Sequence, residues 1–116
     1  MSLNAKQARF TYKIAKLIVL ANEELGLQVI GKELYRTPEQ AALNEQKGVG
    51  IKNSVHIESL ALDLYIYKEG ELLWSGDEYK QLADAWKGMD PDARWGGDFL
   101  HRKDVYHYSF EHEGVM

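Results

Sequence analysis

The 116-residue chain contains no cysteine, and this absence excludes several kinds of site. Disulfide frameworks, thiolate zinc sites, iron–sulfur clusters and thiol nucleophiles all need cysteine. Any catalysis must therefore depend on His, Asp, Glu, Ser, Lys or Arg. Any metal site must use imidazole and carboxylate ligands.

Positive charge is not in excess either. The 14 Lys and Arg residues stand against 18 Asp and Glu residues, which gives a formal net charge of −4. Proteins that bind nucleic acids usually carry a basic surplus, so we expect no nucleic acid as a partner.

Long apolar runs are also missing. The longest run near the N-terminus covers residues 17–21, which is too short to span a bilayer or to form the apolar part of an export signal. We expect a protein made in the cytoplasm, without a recognisable signal peptide and without stable membrane insertion.

No repeat or low-complexity linker interrupts the chain, which predicts one domain over residues 1–116. We also expect a monomer.

An amphipathic helix is predicted from about Asn4 to Leu25, ended by Gly26. Its apolar stripe, at spacings of four, three, four and four, is Phe10, Ile14, Leu17, Ala21 and Leu25. A second row at helical spacing is basic and consists of Lys6, Arg9, Lys13 and Lys16. Such a row favours a solvated helix face, and it leaves open an attachment surface for an anionic polymer or membrane.

The remaining elements alternate between strands and helices. Leu27–Tyr35 reads as a strand, and a capping box that begins at Thr37 predicts a helix start. Residues 60–67 alternate with a period of two, which predicts a strand with one leucine-rich face. A further helix, N-capped near Asp77 and closed by Gly88, precedes a turn-rich stretch over residues 89–98 and a strand over Val105–Phe110. This order predicts an α+β fold with a small antiparallel sheet and packed helices.

Histidine and aspartate residues form a candidate metal site. Asp63 lies in the middle of a predicted strand, where a carboxylate needs a partner. His56 precedes it by seven residues, and a loop folding back beside the strand can bring both to one metal. His107 can supply a third ligand, since a catalytic zinc site usually takes three protein ligands and a water. In a regular strand, the offset of three residues would put Asp104 on the face opposite to His107. We therefore place Asp104 in the preceding loop, turned toward the site of His107. The rivals for the third ligand are His101 and His112.

The segment from Ser54 to Asp63 resembles the Ser-x-His-x(4)-Ala-x-Asp signature of zinc peptidases that cut bacterial cell-wall peptides. This family comprises D-alanyl-D-alanine carboxypeptidases and dipeptidases and phage L-alanyl-D-glutamate endopeptidases, and it is structurally akin to hedgehog signalling domains. Arg36, Thr37 and Gln40 resemble an upstream element of the family, and Asp104-x-x-His107 resembles its acid-x-x-His element. The resemblance covers roughly residues 10 to 110.

The resemblance implies a hedgehog/DD-peptidase-like fold and a role for each matching residue. His56, Asp63 and His107 would bind zinc, and Asp104 would be the general base. The three further implied site residues have separate roles. Arg36 would stabilise the oxyanion, Gln40 would support the arginine or the substrate, and Ser54 would contact the substrate or steady its loop.

One element and one departure refine the resemblance. Trp95-Gly96-Gly97 is similar to the phage endolysin branch, which favours an L-alanyl-D-glutamate endopeptidase that acts as an endolysin on the peptidoglycan stem peptide. Ser59 stands where the family usually has glycine, which implies a slightly different loop beside the cleft.

Several alternatives stay open at this point. One is a D,D-carboxypeptidase of the same family, and another is a non-catalytic zinc-containing module that binds the cell wall. A serine hydrolase built on Ser54 and His56 is disfavoured, because an offset of two in a loop does not indicate a triad. Four aromatic residues, which belong either to the core or to a substrate groove, are Tyr65, Tyr67, Trp74 and Trp95.

Overall fold

An antiparallel sheet and two helices make up the part of the chain that the computed structural model describes, which is residues 2–32, 34, 39, 59–101 and 103–116. The helices are α1 (Leu3–Glu23) and α2 (Asp77–Lys87), with a short 3-10 helix over Gly96–Asp98. The strands are β1 (Gln28–Lys32), β2 (Ala61–Lys68), β3 (Glu71–Leu72), β4 (Ala93–Trp95) and β5 (His107–Phe110). The strand order is β1-β2-β5-β4, and β3 pairs with β2. The predicted α+β class is confirmed.

Helix α1 forms where the apolar spacing predicts it. Four of the five stripe residues are buried, and these are Phe10, Ile14, Leu17 and Ala21. Gly26 follows the helix with a φ of 66°, a left-handed conformation that glycine adopts without strain. Across the described residues, the structure contains no helix long and apolar enough to cross a membrane.

Three of the four basic side chains in the row on α1 contact other parts of the molecule, whereas the sequence favours a solvated face. Arg9 pairs with Asp90 at 2.9 Å and with Asp92 at 2.5 Å. Lys6 and Lys13 donate to the main-chain oxygens of residues 111 and 89, at 2.5 and 2.8 Å. The row therefore fastens α1 to the turn before β4 and to the segment after β5. Arg9 is paired with carboxylates, whereas Lys16 stays exposed beside the Tyr12 ring. Most of the row thus serves packing of the helix, which argues against a free attachment surface.

The helices cover one face of the sheet. Leu64 and Ile66 of β2 are fully buried on that face, as the alternation predicts. The rings of Phe10, Trp86 and Phe110 pack there with centroids 5.2–5.7 Å apart. The opposite face of β2 and β5 carries the side chains of the candidate site.

Some predicted boundaries were wrong. The stretch 89–98 contains β4, and β5 begins at His107 because residues 105 and 106 form a turn. The bounds of α2 agree with the prediction, since its N-cap is Gly76, next to Asp77, and its C-cap is Gly88. β1 ends at Lys32, and the helix start predicted at Thr37 lies outside the described residues.

Candidate metal centre

Asp63 and His107 are brought together by strand register. They are directly opposite each other in the antiparallel β2–β5 pair, so their side chains share a face. Both are buried, with 9% and 7% of their surface exposed. His107 Nδ1 lies 3.8 Å from Asp63 Oδ1, which is too long for a hydrogen bond.

Asp104 reaches the same place from the turn that precedes β5, as the offset from His107 predicts. Its carboxylate Oδ1 accepts the main-chain N–H of Tyr106 at 3.0 Å, so the side chain folds back toward the strand. The main-chain N–H of His107 donates to the Asp104 carbonyl at 3.2 Å. The donor atoms of Asp63, Asp104 and His107 lie within 4.8 Å of one another.

Gly96 allows the turn to approach so closely. Its carbonyl accepts the N–H of Asp104 at 3.0 Å. A Cβ on Gly96 would lie 2.2 Å from the Asp104 carbonyl oxygen and 2.8 Å from the His107 Cβ. The middle residue of the Trp95-Gly96-Gly97 element thus has a steric reason to be glycine, which the sequence resemblance did not supply.

The donor set fits zinc. Zinc takes imidazole nitrogen and carboxylate oxygen at distances of about 2.0–2.2 Å. The 3.8 Å between His107 Nδ1 and Asp63 Oδ1 is slightly less than two such distances, so one ion can contact both atoms. Two carboxylates and one imidazole on a buried face are suited to holding a divalent cation.

Aromatic rings and a lysine flank the cluster on the same face of the sheet. The Tyr65 ring stacks on the Tyr106 ring with centroids 4.4 Å apart, and Lys32 Nζ lies 4.7 Å from the Tyr65 centroid. Lys32 is directly opposite Asp63 in the β1–β2 pair. Burial and, second, the charge of Asp104 raise the pKa of the Tyr106 phenol. This phenol therefore stays protonated at neutral pH.

The other aromatic candidates divide between packing and exposure. Trp95 is half-buried and donates from Nε1 to the Val105 carbonyl at 2.8 Å, which holds the turn before β5. Tyr67 is also half-buried, whereas Trp74 is 74% exposed. Tyr65 follows Asp63 by two residues on β2, so it shares the face of the sheet that carries Asp63.

Several predicted site residues lie outside the described part of the chain. These are Arg36, Gln40, Ser54 and His56. The rival ligands are described and lie elsewhere: His101 is exposed, and His112 Nδ1 is 3.4 Å from Lys6 Nζ. Among the described residues, the three-donor cluster consists of Asp63, Asp104 and His107.

Two participants near the cluster were missed from sequence. His107 Nε2 lies 2.5 Å from the main-chain oxygen of Met116, which also accepts a hydrogen bond from Ser109 Oγ at 2.8 Å. A main-chain oxygen leaves no signal in a sequence. Ser109 could have been found from the sequence, because it follows His107 by two residues in a predicted strand. Residues two apart in a strand point to the same face of the sheet.

Comparison with known proteins gives a likeness of fold. The structure is similar to that of the L-Ala D-Glu endopeptidase ChiX of Serratia marcescens, with a TM-score of 0.69 and 22% sequence identity over 84% of this chain and 77% of that one. No protein-family model matches the sequence, and no curated protein matches it. The two chains share a fold.

Proposed function

We propose that the protein is a zinc-dependent peptidase that hydrolyses the peptide stem of bacterial peptidoglycan. The proposal rests on the three donor atoms of Asp63, Asp104 and His107 within 4.8 Å on one sheet face. The Ser54–Asp63 signature and the fold shared with ChiX, an L-Ala D-Glu endopeptidase, support the same substrate class.

His56, Asp63 and His107 would hold the zinc. Two imidazoles and one carboxylate leave one position of a tetrahedral site open. The zinc, when bound, polarises the substrate carbonyl and lowers the pKa of a water molecule toward about 7.

Asp104 is the general base in this proposal. Its carboxylate takes the proton of the attacking water and passes it to the leaving amine. The hydrogen bond from Tyr106 to Oδ1 orients the carboxylate for this transfer. Arg36, always charged, would stabilise the developing oxyanion, with Gln40 and Ser54 contacting the substrate or its loop.

The bond cut is proposed to be the one between L-alanine and D-glutamate, with the protein acting as a phage-type endolysin. The Trp95-Gly96-Gly97 element and the fold shared with ChiX, an L-Ala D-Glu endopeptidase, favour this bond. A D,D-carboxypeptidase would release a terminal D-alanine instead. A non-catalytic wall-binding module would release no amino groups from peptidoglycan.

Asp104→Asn tests the assignment of the base. The variant is expected to keep its zinc and to lose about 10²–10⁴-fold in the release of amino groups from purified peptidoglycan, since the amide cannot take a proton. Zinc content is measured by atomic emission and amino groups by a colorimetric assay. Asp63→Asn should lose the metal as well as the activity.

Asp84→Asn provides the matched control, because Asp84 is a surface carboxylate on α2 whose side chain is 59% exposed. This variant should keep both zinc and activity. Undiminished turnover in Asp104→Asn would refute its role as base. Loss of zinc from Asp104→Asn would make Asp104 a ligand instead.

A further inference from the structure

The segment that follows β5 folds back as a tight hairpin over residues 111–116. His112 and Val115 exchange two main-chain hydrogen bonds of 2.9 Å each. Glu113 and Gly114 between them have φ values of 50° and 81°, as a two-residue turn with both central residues left-handed requires. Gly114 N–H also donates to Glu111 Oε1 at 2.5 Å. The turn thereby directs residue 116 back toward β5.

Met116 places its main-chain oxygen between two side chains of β5. Ser109 Oγ donates to this oxygen at 2.8 Å, and His107 Nε2 lies 2.5 Å from it. His107 and Ser109 are two residues apart on a strand, so both point to the face that carries the cluster. Ser109 is fully buried, whereas Met116 is 41% exposed, so this contact lies at the edge of the buried region.

The chemistry of that oxygen determines which nitrogen of His107 carries the proton. A main-chain oxygen only accepts hydrogen bonds, so the hydrogen must lie on Nε2. In the neutral ring, Nδ1 then has the lone pair, and Nδ1 is the nitrogen that faces Asp63. Histidines that bind metals usually donate their second N–H to a carbonyl or carboxylate, which fixes the tautomer and the ring orientation.

We propose that the main-chain oxygen of Met116, held in place by the 111–116 hairpin, is the positioning group that presents Nδ1 of His107 to the metal. The inference rests on the proposed function, because it assigns a partner to one proposed ligand. Met116 does not touch the substrate or the metal. It acts through His107 alone.

The hairpin is anchored on its other side by α1. Lys6 Nζ donates to the Glu111 carbonyl at 2.5 Å and lies 3.4 Å from His112 Nδ1. The base of the hairpin is therefore fixed to a helix whose apolar face is in the core. This support lets a single oxygen hold a defined position beside His107.

A second turn in the chain offers a matched control. Glu69 and Gly70, between β2 and β3, have φ values of 53° and 82°, nearly those of Glu113 and Gly114. A Cβ added at Gly70 or at Gly114 has no neighbour within 4 Å. Valine at either glycine therefore imposes the same backbone strain, but only Gly114→Val disturbs the path to Met116.

The experiment compares the full chain with Gly114→Val and Gly70→Val. Zinc affinity is measured by competition with a chromophoric chelator, and the His107 tautomer by long-range ¹H–¹⁵N NMR of the zinc-free protein. Gly114→Val is expected to bind zinc about 10–100-fold more weakly and to lose the single Nε2–H tautomer. Gly70→Val should keep the wild-type values of both.

Equal zinc affinities in the two variants, or an unchanged Nε2–H tautomer in Gly114→Val, would overturn the inference. If Gly114→Val fails to fold, Ser109→Ala tests the same inference. This variant removes the second donor to the same oxygen, and it should weaken zinc binding in the same direction. Wild-type zinc affinity in Ser109→Ala would count against the positioning role.

Failure of the proposed function gives a different result. A wild-type protein that takes up no zinc would contradict the zinc peptidase. The tautomer of His107 in the zinc-free protein would still show whether the Met116 oxygen holds the hydrogen on Nε2.

Discussion

Ser59 precedes β2 with a φ of 52°, in the left-handed region that favours glycine. The family resemblance predicts glycine at this position, and the backbone adopts the conformation that glycine would supply. Ser59 therefore holds a left-handed conformation with a side chain in place. A non-glycine residue in this region costs about 1–2 kcal/mol.

Ser59→Gly is expected to raise the free energy of unfolding by up to about 1 kcal/mol. Relief of the left-handed strain outweighs the greater freedom of glycine in the unfolded chain, which is about 0.4–1 kcal/mol. Urea unfolding measures the change. Ser75→Gly is the control, because Ser75 is exposed and has no positive φ, so this variant should lose stability. A loss in Ser59→Gly equal to that in Ser75→Gly would contradict the account.

At the scale of the elements, the sequence predicts helices and strands that bury one face, because their apolar residues recur at a regular spacing. The stripe of α1 and the alternation of β2 are of this kind, since each repeats over several turns or pleats. β4 was missed because it has three residues and lies in a turn-rich stretch. The ion pairs of Arg9 could not be predicted, because its partners at residues 90 and 92 are distant in sequence.

The connection from β4 to β5 is predicted to be intolerant of a side chain at Gly96. Gly96→Ala should lower the free energy of unfolding by about 1–3 kcal/mol, because the new methyl group would meet the main chain of Asp104 at 2.2 Å. It should also weaken zinc binding, since it displaces Asp104 and His107 together. Calorimetry and chelator competition measure the two effects.

Gly88→Ala is the control for that substitution. Its added Cβ would have no neighbour nearer than 3.6 Å, and its φ of −81° suits alanine. We expect unchanged or slightly raised stability and wild-type zinc affinity. Wild-type zinc affinity in Gly96→Ala would show that the close approach of the turn is dispensable.

At the scale of the whole molecule, sheet register places Asp63 opposite His107 across 44 residues of chain. Composition and periodicity do not encode such a pairing. Residue chemistry offered His107 as one of three candidate third ligands, and the resemblance to a known family favoured it over His101 and His112. The role of Met116 was beyond prediction. Its oxygen belongs to the main chain and acquires a partner only when the hairpin closes.

Buried tyrosines make the folded state sensitive to alkali. Burial raises the pKa of Tyr79 to about 12, and its hydroxyl accepts from Ile66 N–H at 3.0 Å and donates to the Leu73 carbonyl at 2.6 Å. In the unfolded chain the same phenol ionises near pH 10. The stabilisation that the protonated Tyr79 gives to the folded state is therefore complete below about pH 10. It is lost as the pH rises toward about 12. Burial raises the pKa of Tyr108 as well, in the same direction.

Tyr79→Phe should separate this effect from other consequences of high pH. At about pH 8 the variant is expected to be less stable by about 1–3 kcal/mol, because a buried N–H and a carbonyl lose their partner. Between about pH 10 and 12 its stability should fall less steeply than that of the wild type. Urea unfolding across this range measures both, and parallel pH profiles would contradict the assignment.

Mass spectrometry of the products released from purified peptidoglycan tests the central proposal most directly. The protein is stripped of metal with a chelator and assayed before and after one equivalent of zinc is returned. The account predicts that peptides with a new amino terminus at D-glutamate accumulate only after zinc is restored. Equal release by the metal-free protein, or no cleaved peptide bond with zinc present, would contradict it.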